Sequence, residues 1–199
     1  MNGPAKTQVW FPDTCALVTI AVHTPLGDDV RAQLGAKDVH RVLVKAVVDE
    51  LEGLTNIGDR DGPWAAKALG ELDWLNTPVG LDTVGLSLAL ELQEVIRGSR
   101  PLRHPMEHWG EAAILALASR AKTLTPVMLS DDYNARLAAA ARGVKPVSVH
   151  KLLSLMVRKG RLDSARAASH VAALHANQRG FDYTEAELRS GCLGRVGEP

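Results

Sequence analysis

Every residue from Ala112 to Ala118 is apolar, and this run constrains the fold more than any other stretch of the chain. A helix that is apolar on all sides has no face to offer water, so it must lie enclosed between other layers. Pro105 suits a first helical turn, which predicts a helix opening there with Glu111 at its exposed end. After a loop at Arg120 to Leu124, Thr125 to Ser130 reads as a short buried strand whose end carries Asp131 and Asp132. Open α/β sheets bind ligands beyond the carboxyl ends of their strands, so Glu111 and Asp131 are expected beside one pocket.

The rest of the chain can supply those layers. At 199 residues it is long enough to bury a substantial core, and with 46% apolar residues it is not a disordered sequence. Lys plus Arg and Asp plus Glu number 23 each, so no global field draws the protein to polyanions or anionic lipid, and such binding would need a local basic patch. Cys15 and Cys192 form no metal-ligand spacing and suit a reducing compartment. The first residues lack a signal peptide's pattern, and no apolar run approaches the roughly 18 residues of a membrane span. The expectation is a soluble cytoplasmic protein without a membrane partner.

Gln8 to Pro12 reads as a first strand that must stop at Pro12 or run along an edge, because proline cannot donate to a ladder. Helices are expected over Thr14 to His23 and Asp28 to Gly35, a second strand over Val39 to Val44, then a helix through Val47 and Leu54 with Glu50 in its opening turns. Asp59 to Gly62 is a turn. Trp64, Ala68, Leu72 and Leu75 follow at helical spacing. Val84, Leu86, Leu88, Leu90 and Leu92 alternate as in a strand, yet Leu88, Leu92, Val95 and Ile96 fit a helix; the reading leans to an extended start followed by a helix to Gly98. Arg97, Arg100, Arg103 and His104 form a basic loop. Beyond Asp131, a helix from Tyr133 ends at Gly143, a strand covers Val144 to Val149, and a further helix ends at Gly160. The tail is helical from Asp163 to Gln178, and Thr184 with Glu187 forms a capping box. Recurring strand and helix indicate a parallel sheet with helices on both faces.

Asp13, Glu50, Glu111 and Asp131 stand at element boundaries, and if they converge their charges repel unless a cation or a proton intervenes. Carboxylates without a His or Cys cluster favour a hard ion such as Mg²⁺ or Mn²⁺. Such an ion can activate water against a phosphodiester, so phosphodiester hydrolysis is the chemistry to expect.

Asp13-Thr14 after the first strand, Val48 to Leu51, Gly110-Glu111-Ala112, and Ser130 to Asp132 with Ala135-Arg136 together resemble the PIN-domain nucleases, especially the VapC-like ribonuclease toxins of toxin–antitoxin pairs. The likeness runs from Val9 to about Gly160. It implies a PIN-like, Rossmann-like α/β/α sandwich around a central parallel sheet over residues 1–160, with a C-terminal helical extension over 161–199. It also implies a metal-dependent endoribonuclease in which Asp13, Glu50, Glu111 and Asp131 hold Mg²⁺ or Mn²⁺ and position the water. Thr14 would be the hydroxyl residue beside the first aspartate. RNA would be the substrate, an antitoxin protein the partner that fills the acidic groove, and a homodimer the assembly. Cys15 stands where Asn or Ser is frequent, and the interval from Glu50 to Glu111 is longer than in compact toxins.

Each acid also has a structural reading. Asp13 is placed for a turn or cap, Glu50 for the positive end of its helix with Asp49 as the alternative ligand, and Asp132 for the N-cap of the helix at Tyr133, leaving Asp131 the metal role and Asp132 an accessory one. Glu111 is harder to explain structurally, because a carboxylate beside an apolar run is costly unless paired or bound. Arg97, Arg100 and Arg103 are candidate RNA contacts. His108 shares a face with Glu111, while Trp64, Trp74 and Trp109 read as core residues and Cys15 as a small buried side chain. The rival function is a PIN-like module that binds RNA or protein without chemistry. A receiver domain and a haloacid-dehalogenase-like phosphatase fit poorly, the latter because Cys15 stands where a second aspartate is needed.

Overall fold

The computed structural model describes residues 7–36, 39–57, 60–98, 100–101, 105–121 and 123–179. Four parallel strands form its centre: β1 (Gln8–Pro12), β2 (His40–Arg41), β3 (Thr125–Leu129) and β4 (Lys145–Val147), in the order β2-β1-β3-β4. β1 is an interior strand, and it ends at Pro12 as expected; Asp13 N–H then donates to the Leu129 carbonyl at 3.0 Å.

Successive strand side chains point to opposite faces, and the core divides accordingly. Val9, Phe11 and Met128 join one apolar cluster, whereas Trp10, Val127, Leu129 and Val147 join the other. The first face is covered by α3 (Lys45–Ile57), α4 (Gly62–Gly70), α5 (Thr83–Arg97), α6 (Trp109–Ala118) and α7 (Tyr133–Ala141). On the second lie α2 (Thr24–Leu34), α8 (Val149–Arg158) and α9 (Ser164–Ala176), while α1 (Thr14–Ala21) contributes to both clusters. The α/β class, the parallel sheet and the two helical layers are therefore as the sequence indicates. Beyond Gly160, α9 buries Ala167, Val171 and Leu174 in the second core, and Asp29 of α2 accepts hydrogen bonds from its Arg166 and pairs with its His170.

The enclosed helix is α6, in which every residue from Gly110 to Ala116 is buried. It starts at Trp109 rather than Pro105. The preceding turn is held by Gln93 of α5, whose buried amide donates to the Pro105 and Glu107 carbonyls at 2.9 and 2.7 Å, and His108 takes a left-handed conformation at φ 62°. That interaction crosses between elements and leaves no local sequence mark.

Other boundaries also differ from the sequence reading: α2 starts at Thr24 rather than Asp28, and β4 covers only Lys145–Val147, with Val149 opening α8. The extended start at Val84 is absent: α5 is helical from Thr83, because Asp82 caps it by accepting Gly85 N–H at 2.7 Å and itself pairs with Arg120. The alternating Val84, Leu86 and Leu90 are exposed, and the buried set is Gly85, Ala89, Leu92, Gln93 and Ile96, at helical spacing. Small residues define the packed face here, so the hydrophobic pattern misleads. The second strand pairs with β1 only over His40–Arg41, since the chain then bridges from Val44 to Val79. The helix of Trp64 ends at Gly70, and a turn of 3-10 helix follows at Leu72–Trp74. The capping box at Thr184 and Glu187 lies outside the described residues, as do Arg103, His104 and Cys192.

Candidate functional site

In a parallel sheet all carboxyl ends lie on one edge. Here β1 has β2 on one side and β3 on the other, so the connections diverge between β1 and β3. A crevice opens at such a point, and the residues following those two strands border it. Asp13 follows β1 and Asp131 follows β3.

Asp13 is fully buried and caps α1, its Oδ1 accepting Ala16 N–H at 2.7 Å. The Thr14 hydroxyl donates to Glu50 Oε2 at 2.6 Å, tying α1 to α3. Glu111 lies in the first turn of α6, only 5% exposed, and its Oε2 has no hydrogen-bond partner. Asp131 Oδ1 accepts Val149 N–H at 2.9 Å, linking the end of β3 to the start of α8. Asp132 caps α7 through Ala135 N–H at 2.7 Å, as its position before Tyr133 predicts.

Cys15 joins two of these acids. Its thiol donates to Asp13 Oδ2 at 3.6 Å, and its sulfur accepts Asp131 N–H at 3.2 Å. Burial, then the charges of Asp13, Asp131 and Glu111, push the thiol's pKa well up, so Cys15 stays neutral. The sequence suggests only a small buried side chain at this position; the structure makes it a bridge between strand ends.

Asp13, Glu50 and Glu111 lie close enough for their charges to act on one another. Burial first and the Glu111 charge second raise the pKa of Asp13 well above the carboxylate range. The same two causes, in the same order, raise Glu50, against the lowering effect of its bonds from Thr14 and Gly110. Glu111 in turn pushes His108 up, with His108 Nδ1 at 4.0 Å from Glu111 Oε1, an ion-pair distance rather than a hydrogen bond. Gly110 is required by this packing: a Cβ there would stand 2.5 Å from Glu50 Oε2 and 3.1 Å from Thr14 Oγ1.

A cavity of about 370 Å³ opens on this edge, lined by Cys15, Glu111, Asp131 and Asp132, together with Arg60, Arg136, His150 and Arg179. The structure thus gathers all four predicted acids and Thr14 at one end of the sheet, with Glu111, Asp131 and Asp132 on the cavity wall. Asp49 instead pairs with Lys45 along α3. Arg97 and Arg100 line a different depression, between α5 and α7, and Arg97 pairs with Glu94.

The chain matches no family model, no curated protein and no solved structure.

The donor set is all oxygen at its acidic core, and the unpartnered buried Glu111 Oε2 is the atom that a hard cation would satisfy. Asp13, Glu50, Glu111 and Asp131 are the residues that would hold one. Among the described residues, no three His, Cys, Asp or Glu side chains already stand together at metal-holding distance. Hydrogen bonds from Thr14, Ala16 and Val149 hold three of the acids in place. Sequence reasoning missed Arg60, His150 and Arg179 as cavity residues. His150 is the second residue of α8, separated from the end of β4 by Ser148 and Val149, near a strand end as the acids are. Arg60 and Arg179 carry no such mark.

Proposed function

We propose that this protein is a Mg²⁺- or Mn²⁺-dependent endoribonuclease of the PIN-domain type, acting as the toxin of a toxin–antitoxin pair. The observation that carries the reading is the convergence of Asp13, Glu50 and Glu111 in one buried, mutually repelling cluster, with an orphaned Glu111 oxygen, at the divergence point of a parallel sheet. Keeping such a cluster costs stability, and structural support alone gives no reason for a carboxylate at Glu111.

A bound divalent ion would lower the pKa of a water and stabilise charge at the phosphate. Thr14 and the Gly110 N–H fix Glu50 in place. Asp13 is held by the start of α1, so its second oxygen is positioned by backbone rather than by a mobile loop. Cys15, remaining a thiol, shields the gap between Asp13 and Asp131 without adding a further negative charge. His108, pushed up by Glu111, is placed to carry a proton at the outer edge of the acids. The same reading includes an antitoxin protein that covers the acidic groove, and a homodimer. Among the described residues no helix is long and apolar enough to cross a membrane.

One observation favours a second reading. The hydrogen bond from Val149, which already engages Asp131 Oδ1, also suits a PIN-like module that binds RNA or protein without cutting. Incubating purified protein with a mixed RNA pool in Mg²⁺, Mn²⁺ or EDTA separates the two. The nuclease reading expects metal-dependent cleavage, lost in Asp13→Asn and Glu111→Gln. No cleavage, with thermal stability unmoved by Mn²⁺, sinks the metal site, because an ion that binds only the folded protein must stabilise it.

A further inference from the structure

The cavity is lined by both acids and arginines. Glu111, Asp131 and Asp132 line it together with Arg60 and Asp61, from the turn between α3 and α4, and Arg179, from the end of α9. These segments lie 118 residues apart at Arg60 and Gln178, yet they are stitched together: Arg60 donates to the Gln178 side-chain oxygen, and Arg179 Nη2 stands 2.5 Å from Asp61 Oδ1.

The chain end is shaped for this. α9 closes with Gln178 N–H bonded to the His175 carbonyl and Arg179 N–H to the Leu174 carbonyl, the double bond of a Schellman ending. Such an ending needs a left-handed residue, usually glycine. Here Gln178 occupies it at φ 55°, and its side chain is the one that receives Arg60. The backbone reversal brings Arg179 to the cavity. Among the described residues, two guanidinium groups face one carboxylate, Asp61, and the side chains of Arg60 and Arg179 are 58% and 15% exposed. Arg136, the third arginine on the cavity, is buried and donates to the Ser130 carbonyl, so it supports the end of β3.

We infer that the α3–α4 turn and the end of α9 form a phosphate-binding rim, in which Arg60 and Arg179 hold the backbone of a single-stranded RNA across the acidic floor. A guanidinium fork matches a phosphate, and a ligand that meets cations at the rim and carboxylates with their ion at the floor has the charge pattern of a phosphodiester chain. The inference rests on the nuclease reading for the floor, but its own content is the rim. It gives the C-terminal extension a role in substrate positioning: Gln178 and Arg179 set the rim while the acids do the chemistry.

The test is anisotropy of a labelled oligouridine with the full-length protein in EDTA, titrated at several NaCl concentrations, followed by steady-state cleavage in Mn²⁺. Arg60→Ala and Arg179→Ala are each expected to weaken binding and to flatten the plot of log affinity against log salt by about 0.7, the contribution of one lost phosphate contact on a single strand. In cleavage, KM rises and kcat holds. Arg179→Lys keeps the charge and restores the salt slope, and Arg60→Ala leaves the Arg179 pair with Asp61 intact, so loss of fold cannot mimic the result. Wild-type affinity and slope in both alanine variants overturn the rim, as does wild-type protein that binds no oligouridine, or that binds polyglutamate equally well. Rim-dependent binding without cleavage in any metal keeps the rim and removes the nuclease reading; cleavage with unchanged KM in both variants does the reverse.

Discussion

Replacing Glu111 with Gln removes one charge from the buried acids while conserving shape, and the consequences for stability follow from the linkage between protonation and folding. Asp13 and Glu50 keep their protons in the folded state to higher pH than when unfolded, because burial and then the Glu111 charge disfavour their ionised forms. Their contribution to stability is therefore complete below the ordinary carboxylate value and is lost as pH rises through the folded value. Each such group tilts the stability curve by about 1.4 kcal/mol per pH unit within its window, and the two together by at most about 2.7. In Glu111→Gln, burial remains, so the decline persists; the second cause is gone, so it ends at lower pH. The variant also loses the pairing with His108, which matters most in acid, where His108 is charged. Chemical denaturation in EDTA from pH 4 to 8 should show the variant gaining on the wild type with rising pH. At pH 8 it should be the more stable of the two, by about 1.4 kcal/mol for each pH unit by which the window of Asp13 or Glu50 is shortened. Saturating Mn²⁺ should reverse the order, adding about 2.7 kcal/mol to the wild type at a hundred times Kd and little to the variant. Parallel pH curves, or a variant less stable at pH 8 without metal, would refute the view that these acids repel one another.

Three further outcomes test the local physics. Gly110→Ala places a Cβ against Glu50 and should cost about 1–3 kcal/mol through overpacking, more than the gain of up to about 1 kcal/mol in helix propensity; a calorimetric midpoint at or above wild type contradicts the close approach. Asp132→Ala removes the cap of α7 and should cost about 1 kcal/mol while leaving Mn²⁺ stabilisation intact, whereas loss of the metal response would move Asp132 into the metal set. For Asp29, burial pushes its pKa up but hydrogen bonds from Arg166 and His170 outweigh this and hold it below the usual range. Its contribution is thus present above the ordinary carboxylate value and lost as pH falls through the lowered one. Asp29→Ala should cost about 2 kcal/mol near neutrality, with the deficit shrinking in acid, and a deficit independent of pH would show that only packing is lost.

What the sequence determined by itself is what local patterns can encode. The span of β1, the burial of Ala112 to Ala116, the cap at Asp132, the glycine stops at Gly143 and Gly160 and the parallel layering all follow from periodicity, end signals and proline geometry within a few residues of each site. The acids after strands were legible for the same reason, since a parallel sheet must place its strand ends on one edge. Patterns of large apolar residues failed where small ones do the packing, as at Gly85 and Ala89 of α5. They failed again where a distant side chain held the backbone, as Gln93 does before α6. Only the tertiary structure decided that Cys15 bridges Asp13 and Asp131, that Glu50 answers to Thr14 and Gly110, and that Arg60 meets Gln178. These contacts depend on how helices on a twisted sheet bring together side chains far apart in sequence, and no interval along the chain records that distance.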